Sequence, residues 1–343
     1  MPLAPGDAPA VKSRLDRLTK TYGPAYLDSD PLGLVHRHPH DEDREAAAFF
    51  ASALAFGNAK AVRTSLGRVL GRLGARPAAA LREFRIDENA DLFEGIVHRW
   101  VGPRDLARFA HMTGAALREW GSLEAAFMPG YEPGAATLTS ALVGFRRRLL
   151  ALAPGESSKK GLASGRPGKK GSAAGGSSKK GCAASGPGEK NGFAYLLPDP
   201  AGGSACKRIH LFCKWVIRSG DGMDLGLWRA PLLSQLTIPL DTHIARIGGL
   251  LGLTERRTPD RRMAEEITDS LRLINPADPV SYDFAMSRLG ILGHCPRRPD
   301  ARLCAGCPLR DICRHWRRSA QKKKATARNR PRPARRPGGR PTG

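Results

Sequence analysis

The chain has 343 residues, 41% of them hydrophobic, which is enough for one large or two ordinary domains with a substantial core. The longest nearly continuous apolar run, residues 46–56, has 11 residues, whereas a bilayer span needs ~20. No secretory signal is visible near the N-terminus, so we expect a cytoplasmic protein that is neither membrane-bound nor exported.

The formal net charge of +24 is concentrated in two segments. Residues 154–192 carry eight Lys/Arg and two Glu, and residues 317–343 carry eleven Lys/Arg and no acid. A basic body with basic appendages suits a polyanionic partner, most simply nucleic acid. For the C-terminal tail alone, the alternative is a solvated segment that only improves solubility.

Apolar residues at helical spacing recur along the chain, and strand signals are nearly absent. We expect Ser204 to cap a helix that runs to Arg218, and Asp241 to cap the next one. The sequence therefore predicts an all-α fold. The predicted helices cover residues 41–57, 60–73, 103–118, 135–153, 204–218, 242–251, 259–274 and 279–292.

The composition divides the chain into five parts. Residues 154–192 repeat Ser-Ser-Lys-Lys-Gly and have almost nothing to bury, so they predict a disordered insertion, and the basic tail is similar. The predicted parts are an N-terminal helical part (1–153), the insertion (154–192), a second helical part with Lys207 and Asp241 (193–294), a cysteine loop (295–316) and a disordered tail (317–343).

Four cysteines stand close together in the cysteine loop, with the spacing Cys295-x8-Cys304-x2-Cys307-x5-Cys313. Four thiolates can hold one tetrahedral zinc ion or the four irons of a [4Fe–4S] cluster. A structural zinc knuckle usually has two tight Cys-x2-Cys pairs, and this loop has one. The spacing therefore favours a [4Fe–4S] cluster, with zinc as the alternative.

The segment Pro239-Leu240-Asp241-Thr242-His243-Ile244, followed by the cysteine loop, resembles the helix-hairpin-helix DNA glycosylase superfamily of endonuclease III. The chain is similar, more closely, to an uncharacterised prokaryotic family related to that superfamily. The motifs of this closer resemblance are residues 203–208, 215–218, 224–228 and 278–285. The resemblance implies a two-lobed helical fold and a monomer that binds double-stranded DNA at the nucleoid.

The same resemblance implies a base-excision glycosylase that acts on damaged bases, with or without AP-lyase activity. The alternative is a non-catalytic iron–sulfur protein that binds nucleic acid and keeps the glycosylase fold. Three features depart from the superfamily pattern. Lys207 lies 34 positions before Asp241, farther than the lysine of a lyase-competent glycosylase lies from its aspartate. The first gap of the cysteine loop is two residues longer, and the usual Leu-Pro-Gly-x-Gly hairpin is replaced by residues 197–203, Leu-Pro-Asp-Pro-Ala-Gly-Gly.

The resemblance assigns catalysis to Asp241 and Lys207. The carboxylate of Asp241 would stabilise positive charge on the sugar as the base departs, although capping of the next helix alone would also explain this residue. Lys207 would attack C1′ of the deoxyribose or would only contact a phosphate. The residues expected to bind DNA are Gly202, Gly203, Ser204, Arg208, Arg218 and Arg246.

Overall fold

The computed structural model describes residues 3–154 and 192–319. In these residues the secondary structure is helical, apart from one isolated antiparallel bridge between His98 and Val101. The predicted all-α class is therefore confirmed. The predictions of a disordered insertion and a disordered tail fall almost entirely on residues outside the described ones.

The helices of the N-terminal part precede the insertion, and the others follow it. The first group is α1 (Ala8–Thr21), α2 (Leu32–Val35), α3 (Asp41–Ala53), α4 (Ala59–Leu73), α5 (Pro77–Glu83), α6 (Ile86–Asn89), α7 (Pro103–Trp120), α8 (Leu123–Phe127) and α9 (Thr139–Ala151). The second group is α10 (Gly192–Leu196), α11 (Lys207–Ile217), α12 (Thr242–Leu251), α13 (Arg261–Arg272), α14 (Asp283–Ile291) and α15 (Ala301–Ala305). Short 3-10 helices occur at Pro5–Asp7, Pro24–Ser29, Ala90–Phe93, Met128–Gly130, Leu233–Gln235 and Arg310–Ile312.

Several helices begin at a side chain that caps them. Asn58 Oδ1 accepts a hydrogen bond from Ala61 N at the start of α4. Asp241 Oδ1 accepts bonds of 2.8 Å from the amides of His243 and Ile244, and Asp260 caps α13 in the same way. Each cap satisfies amides that have no partner inside the helix. The predicted cap at Asp241 is therefore confirmed.

The start of α11 differs from the prediction. The helix begins at Lys207, and its capping position is Cys206, which has the left-handed φ of 44°. Ser204 Oγ instead accepts a hydrogen bond of 3.4 Å from Cys206 N, within the loop before the helix. The prediction that Ser204 caps this helix was wrong, because the chain turns at Cys206 before it becomes helical.

Helix α3 lies at the centre of the core and holds α11 in place. Ala46, Ala47 and Ala48 are fully buried, and their small side chains allow the neighbouring helices α5 and α11 to approach closely. Phe49 stacks on Phe109 of α7 and contacts Phe212 of α11, with ring centroids 4.9 and 5.0 Å apart. The position of α11 is thus fixed by the aromatic core.

The helices after the insertion share this core rather than forming a separate one, since one apolar cluster extends from Leu3 to Ile312. Helix α14 packs against α12 and α1. At Gly290 of α14, an added Cβ would lie only 2.4 Å from His243 Nδ1, so glycine permits the close packing of α12. In residues 3–154 and 192–319, no helix is long and apolar enough to cross a bilayer.

Candidate active site and cysteine cluster

An open cavity of about 470 Å³ lies between α11, the start of α12, α14 and the turn from α3 to α4. This volume falls within the range of small-molecule sites. Its walls combine apolar side chains with charged groups from distant parts of the sequence. The lining residues that matter here are Phe56, Lys207, Lys214, Trp215, Asp241 and Asp283.

Lys207 and Asp241 meet at this cavity. Lys207 is the first residue of α11 and Asp241 caps α12, and their side chains approach to 3.6 Å between Nζ and Oδ2. The capping bonds use Oδ1 of Asp241, so the other carboxylate oxygen faces the lysine. The 34 positions between the two residues therefore do not separate them in space.

A second lysine of α11, which sequence reasoning missed, lies in the same cavity. Lys214 follows Lys207 by seven residues, or two helical turns, and therefore lies on the same face of α11. Its side chain is 1% exposed, and Nζ lies 3.0 Å from Asp224 Oδ1 and 3.7 Å from Asp283 Oδ2. The detectable signal was a lysine within the apolar run 211–217.

Asp283, at the start of α14, is the buried acid of this cavity. Burial raises the pKa of its carboxyl to about 6, the charge of Lys214 opposes this shift, and the negative charge of Asp241 adds to it. Asp224, by contrast, is bonded to both Lys214 and Arg218. The cavity thus contains two carboxyl groups in different environments: Asp241, which caps α12, and Asp283, which is buried.

Arg218 was expected to bind DNA, but the structure uses it inside the protein. The residue is 5% exposed and forms ion pairs with Asp221, Asp224 and Asp278. These carboxylates raise the pKa of the guanidinium against the effect of burial. An interior arginine with three acidic partners is not available to a phosphate, so the DNA contact predicted for Arg218 was wrong.

Arg208 is also buried, at 8% exposure, with its guanidinium carbon 3.8 Å from the ring centre of Tyr195 and 5.2 Å from that of Phe56. This stacking against aromatic rings occupies the guanidinium, so the predicted phosphate contact of Arg208 is not supported. The loop before α11 is more open. Gly203 and Ser204 are exposed, and Gly202 N donates to Asp199 O within the turn.

The four cysteines of the C-terminal loop come together around a small cavity of about 40 Å³. Cys295, Cys304, Cys307 and Cys313 all line this cavity, and none forms a disulfide. Arg246 of α12, expected to bind DNA, instead donates a hydrogen bond of 2.9 Å to Cys295 Sγ. Its other contact is with Pro296 O, so Arg246 serves the cysteine site rather than a phosphate.

The chemistry of these cysteines is consistent with binding a metal centre. Burial raises the pKa of the Cys295 and Cys307 thiols, and negative charge on the neighbouring cysteines raises it further. A bound cation offsets this repulsion and holds thiols as thiolates. In the described residues, no three His, Cys, Asp or Glu side chains converge as the ligands of a single metal ion.

The chain matches one family model over residues 30–292, which is more than half of its length, and that family is described as a protein of unknown function (DUF2400). The chain belongs to the DUF2400 family. The whole lining of the larger cavity, from Asp30 to Ile291, lies inside the match, whereas the DUF2400 model ends before Cys295. No curated protein and no solved structure matches the chain.

Proposed function

We propose that this protein is a DNA glycosylase that receives a flipped nucleotide in the larger cavity and releases its base. The observation that carries the proposal is the contact between Lys207 and Asp241 at the edge of a cavity of about 470 Å³. Enzymes that act on a base in a duplex extrude the nucleotide into a pocket of this kind. The polyanionic partner agrees with the net charge of +24.

Asp241 is suited to stabilise a positively charged sugar. Its carboxylate is fixed by two amides of α12 through Oδ1, and Oδ2 remains directed at the cavity. As the bond between C1′ and the base breaks, the electron pair leaves with the base and C1′ becomes electron-poor. A carboxylate that is already in position stabilises that charge without reorganising.

Lys207 supplies either of two further contributions. Its amine can attack C1′ as the base leaves with the electron pair of the glycosidic bond. The nitrogen then loses a proton, the C1′–O4′ bond breaks with O4′ taking a proton, and an imine forms; loss of a C2′ proton from the imine expels the 3′ phosphate and breaks the strand. Alternatively, its ammonium group can bind a phosphate next to the flipped nucleotide. The side chain is 32% exposed, so it is accessible to DNA in either role.

Two basic side chains near the cavity support binding of the DNA backbone. Lys60 is exposed next to Ala59, which lines the cavity, and Arg99 is exposed beside Gly57, which also lines it. Together with Lys207 they form a positive edge around the opening. The loop between α10 and α11, with its exposed Gly203 and Ser204, would supply the backbone amides of a helix-hairpin-helix contact.

The two-lobed arrangement of the glycosylase superfamily and the cluster are parts of the same proposal. Cys295, Cys304, Cys307 and Cys313 would hold a [4Fe–4S] cluster that orders the loop next to α12. The single tight Cys-x2-Cys pair, Cys304 and Cys307, supports a cluster over a single zinc ion, which remains the alternative. We propose a monomer that acts on double-stranded DNA at the nucleoid.

The test is a screen of duplex oligonucleotides that carry different damaged bases, with excision measured under single-turnover conditions. Asp241→Asn keeps the helix cap, because Asn caps about as well as Asp, but removes the charge. The matched control is Asp260→Asn, which makes the same change at the cap of α13. We expect excision to fall at least about 100-fold in Asp241→Asn and to persist in the control.

Borohydride trapping separates the two roles of Lys207. If its amine forms the imine, reduction will link the wild-type protein covalently to DNA, and Lys207→Gln will not be linked. Excision by the wild-type protein without covalent trapping would show that Lys207 only contacts a phosphate. If no damaged base is released while DNA still binds, the alternative function applies, that of a non-catalytic iron–sulfur protein that binds nucleic acid.

A further inference from the structure

The carboxyl group of Asp283 faces the larger cavity without a hydrogen-bond partner. Its side chain is 7% exposed and its nearest charged group is Lys214 Nζ at 3.7 Å, which is beyond hydrogen-bond distance. Neither carboxylate oxygen forms a hydrogen bond with the described residues, and both are accessible from the cavity, because neither is among the fully enclosed side-chain atoms that lack a partner. A ligand in the cavity can therefore donate a hydrogen bond to this carboxyl group.

The surroundings of Asp283 indicate what would supply the missing donor. Trp215 and Phe284 also line this cavity, and Phe284 follows Asp283 directly in the chain, so part of the cavity wall is aromatic. Lys214 adds a buried ammonium group next to the carboxyl group. A planar heterocycle that presents an N–H beside a ring acceptor would satisfy both groups at once.

We propose that Asp283 accepts a hydrogen bond from an N–H on the Watson–Crick edge of the nucleotide in the cavity, with Lys214 donating to the adjacent acceptor. The proposal rests on the glycosylase function above, and it makes Asp283 the residue that selects the base. The cavity would take nucleotides whose pairing edge carries an N–H and reject those in which a methyl group replaces it. A site built around such a bond discriminates strongly, because its buried group is otherwise left unpaired.

The packing around Asp283 keeps its position fixed. Lys214 is held by Asp224, and Asp224 is also bonded to Arg218, which in turn pairs with Asp278. Asp43 of α3 is also buried, accepts hydrogen bonds from Arg76 Nε and Ala78 N, and does not line the cavity. It is therefore the control for a buried carboxyl group that only stabilises the fold.

The experiment measures binding of free nucleosides to the purified full chain by saturation-transfer NMR. This measurement does not depend on whether the protein releases bases from DNA. The probes are 2′-deoxyuridine and 2′-deoxyinosine, each compared with its analogue methylated at the ring nitrogen of the pairing edge (N3 and N1, respectively), which replaces the N–H. For at least one pair, we expect the wild type to bind the parent nucleoside at least about 10-fold more tightly, as for a hydrogen bond to a charged group.

Asp283→Leu, which has a similar size and no acceptor, should reduce this ratio to near one, while Asp283→Asn, which keeps a neutral acceptor, gives an intermediate ratio. Asp43→Asn should retain the wild-type ratio. The proposal is overturned if the wild type binds no parent nucleoside at about 10 mM, or prefers none over its analogue. It is also overturned if Asp283→Leu keeps the preference, because sterics would then explain it, or if Asp43→Asn loses it. Base release measured separately decides the glycosylase function.

Discussion

The larger cavity and the cysteine site hold their polar groups in different ways. In the cavity, Asp241 is fixed by two amides and Lys214 by the carboxylate of Asp224, so protein contacts alone position both side chains. In the cysteine loop, α15 has five residues and none of them is buried. The four cysteines line one small cavity there, and Arg246 donates a hydrogen bond to Cys295.

This difference indicates which site depends on what it binds. The cavity is built by helices of the continuous core, and all its lining residues lie within the family match. The cysteine loop follows that match and has little core of its own. We therefore expect the cavity to keep its shape without a ligand and the loop to depend on the metal centre proposed for it, in the way that structural metal sites couple binding to folding.

The largest loss of stability should result from Lys214→Met, a change in the buried network that supports the cavity. The change leaves the buried carboxylates of Asp224 and Asp283 without their shared cation, and breaking a buried pair typically costs about 3–5 kcal/mol. The control is Lys207→Met on the same face of α11, whose pair with Asp241 is partly exposed and should contribute about 1 kcal/mol or less. Urea unfolding of both variants measures the difference. Equal losses would show that the buried network does not position the cavity.

The next effect concerns the cysteine site. We expect anaerobically purified protein to be brown and to contain about four irons per chain. Cys307→Ser should lose the iron and expose residues 295–319 to protease, at a cost of about 2–3 kcal/mol, as for a ligand present well above its Kd. Cys213→Ser, at a buried cysteine outside the loop, is the control for metal content. If the purified protein contains no iron and one tightly bound zinc ion, the cysteines hold zinc and the cluster prediction is wrong.

The sequence predicted structural features correctly where the residues that determine them are adjacent in the chain. The cap at Asp241 was predictable because an acidic side chain and the amides it caps are adjacent in sequence. The helix that was expected to begin at Ser204 begins at Lys207, because Cys206 has a left-handed backbone that its sequence does not signal. Helix existence was thus easier to predict than helix boundaries.

The wrong predictions about site residues concern charged side chains that are buried in the structure. Arg208 and Arg218 were expected to contact phosphate because they are basic and lie near the motif, yet both are buried, one against Tyr195 and Phe56 and the other among aspartates. Lys214 was missed for the same reason. Which charged side chains become interior depends on contacts between segments far apart in the chain, and a single sequence does not contain that information.

The third effect is a pH dependence that comes from Asp283. Burial raises the pKa of its carboxyl from 3.8 to about 6, so the folded state holds this proton more tightly than the unfolded chain does. The associated stability is present below about pH 4 and is lost as the pH rises to about 6. Asp283→Asn has no such loss, so at pH 7 it should be more stable than the wild type by roughly 1–2 kcal/mol.

Thermal unfolding between pH 4 and pH 7 measures this difference, which should grow with pH. A variant that is less stable than the wild type at pH 7 would mean that the charged pair with Lys214 outweighs the cost of burial. The same substitution at Asp278, which contacts Arg218 and is less buried, is the control, and we expect no gain from it.

The smallest effect on the fold should come from deleting residues 320–343, which form most of the basic tail. Residues 320–343 hold nine Lys/Arg and no acid, and deleting them leaves in place the contact between Arg317 and Asp311 O. Each phosphate that the tail neutralises contributes roughly −0.9 to the slope of log K against log salt. The deletion should therefore flatten the salt dependence of DNA binding, while single-turnover excision at saturating protein and the melting temperature stay nearly unchanged. Fluorescence anisotropy with a labelled duplex at several salt concentrations measures the slope. An unchanged slope would mean that the tail does not contact DNA, and a lower melting temperature would mean that it packs on the helical body.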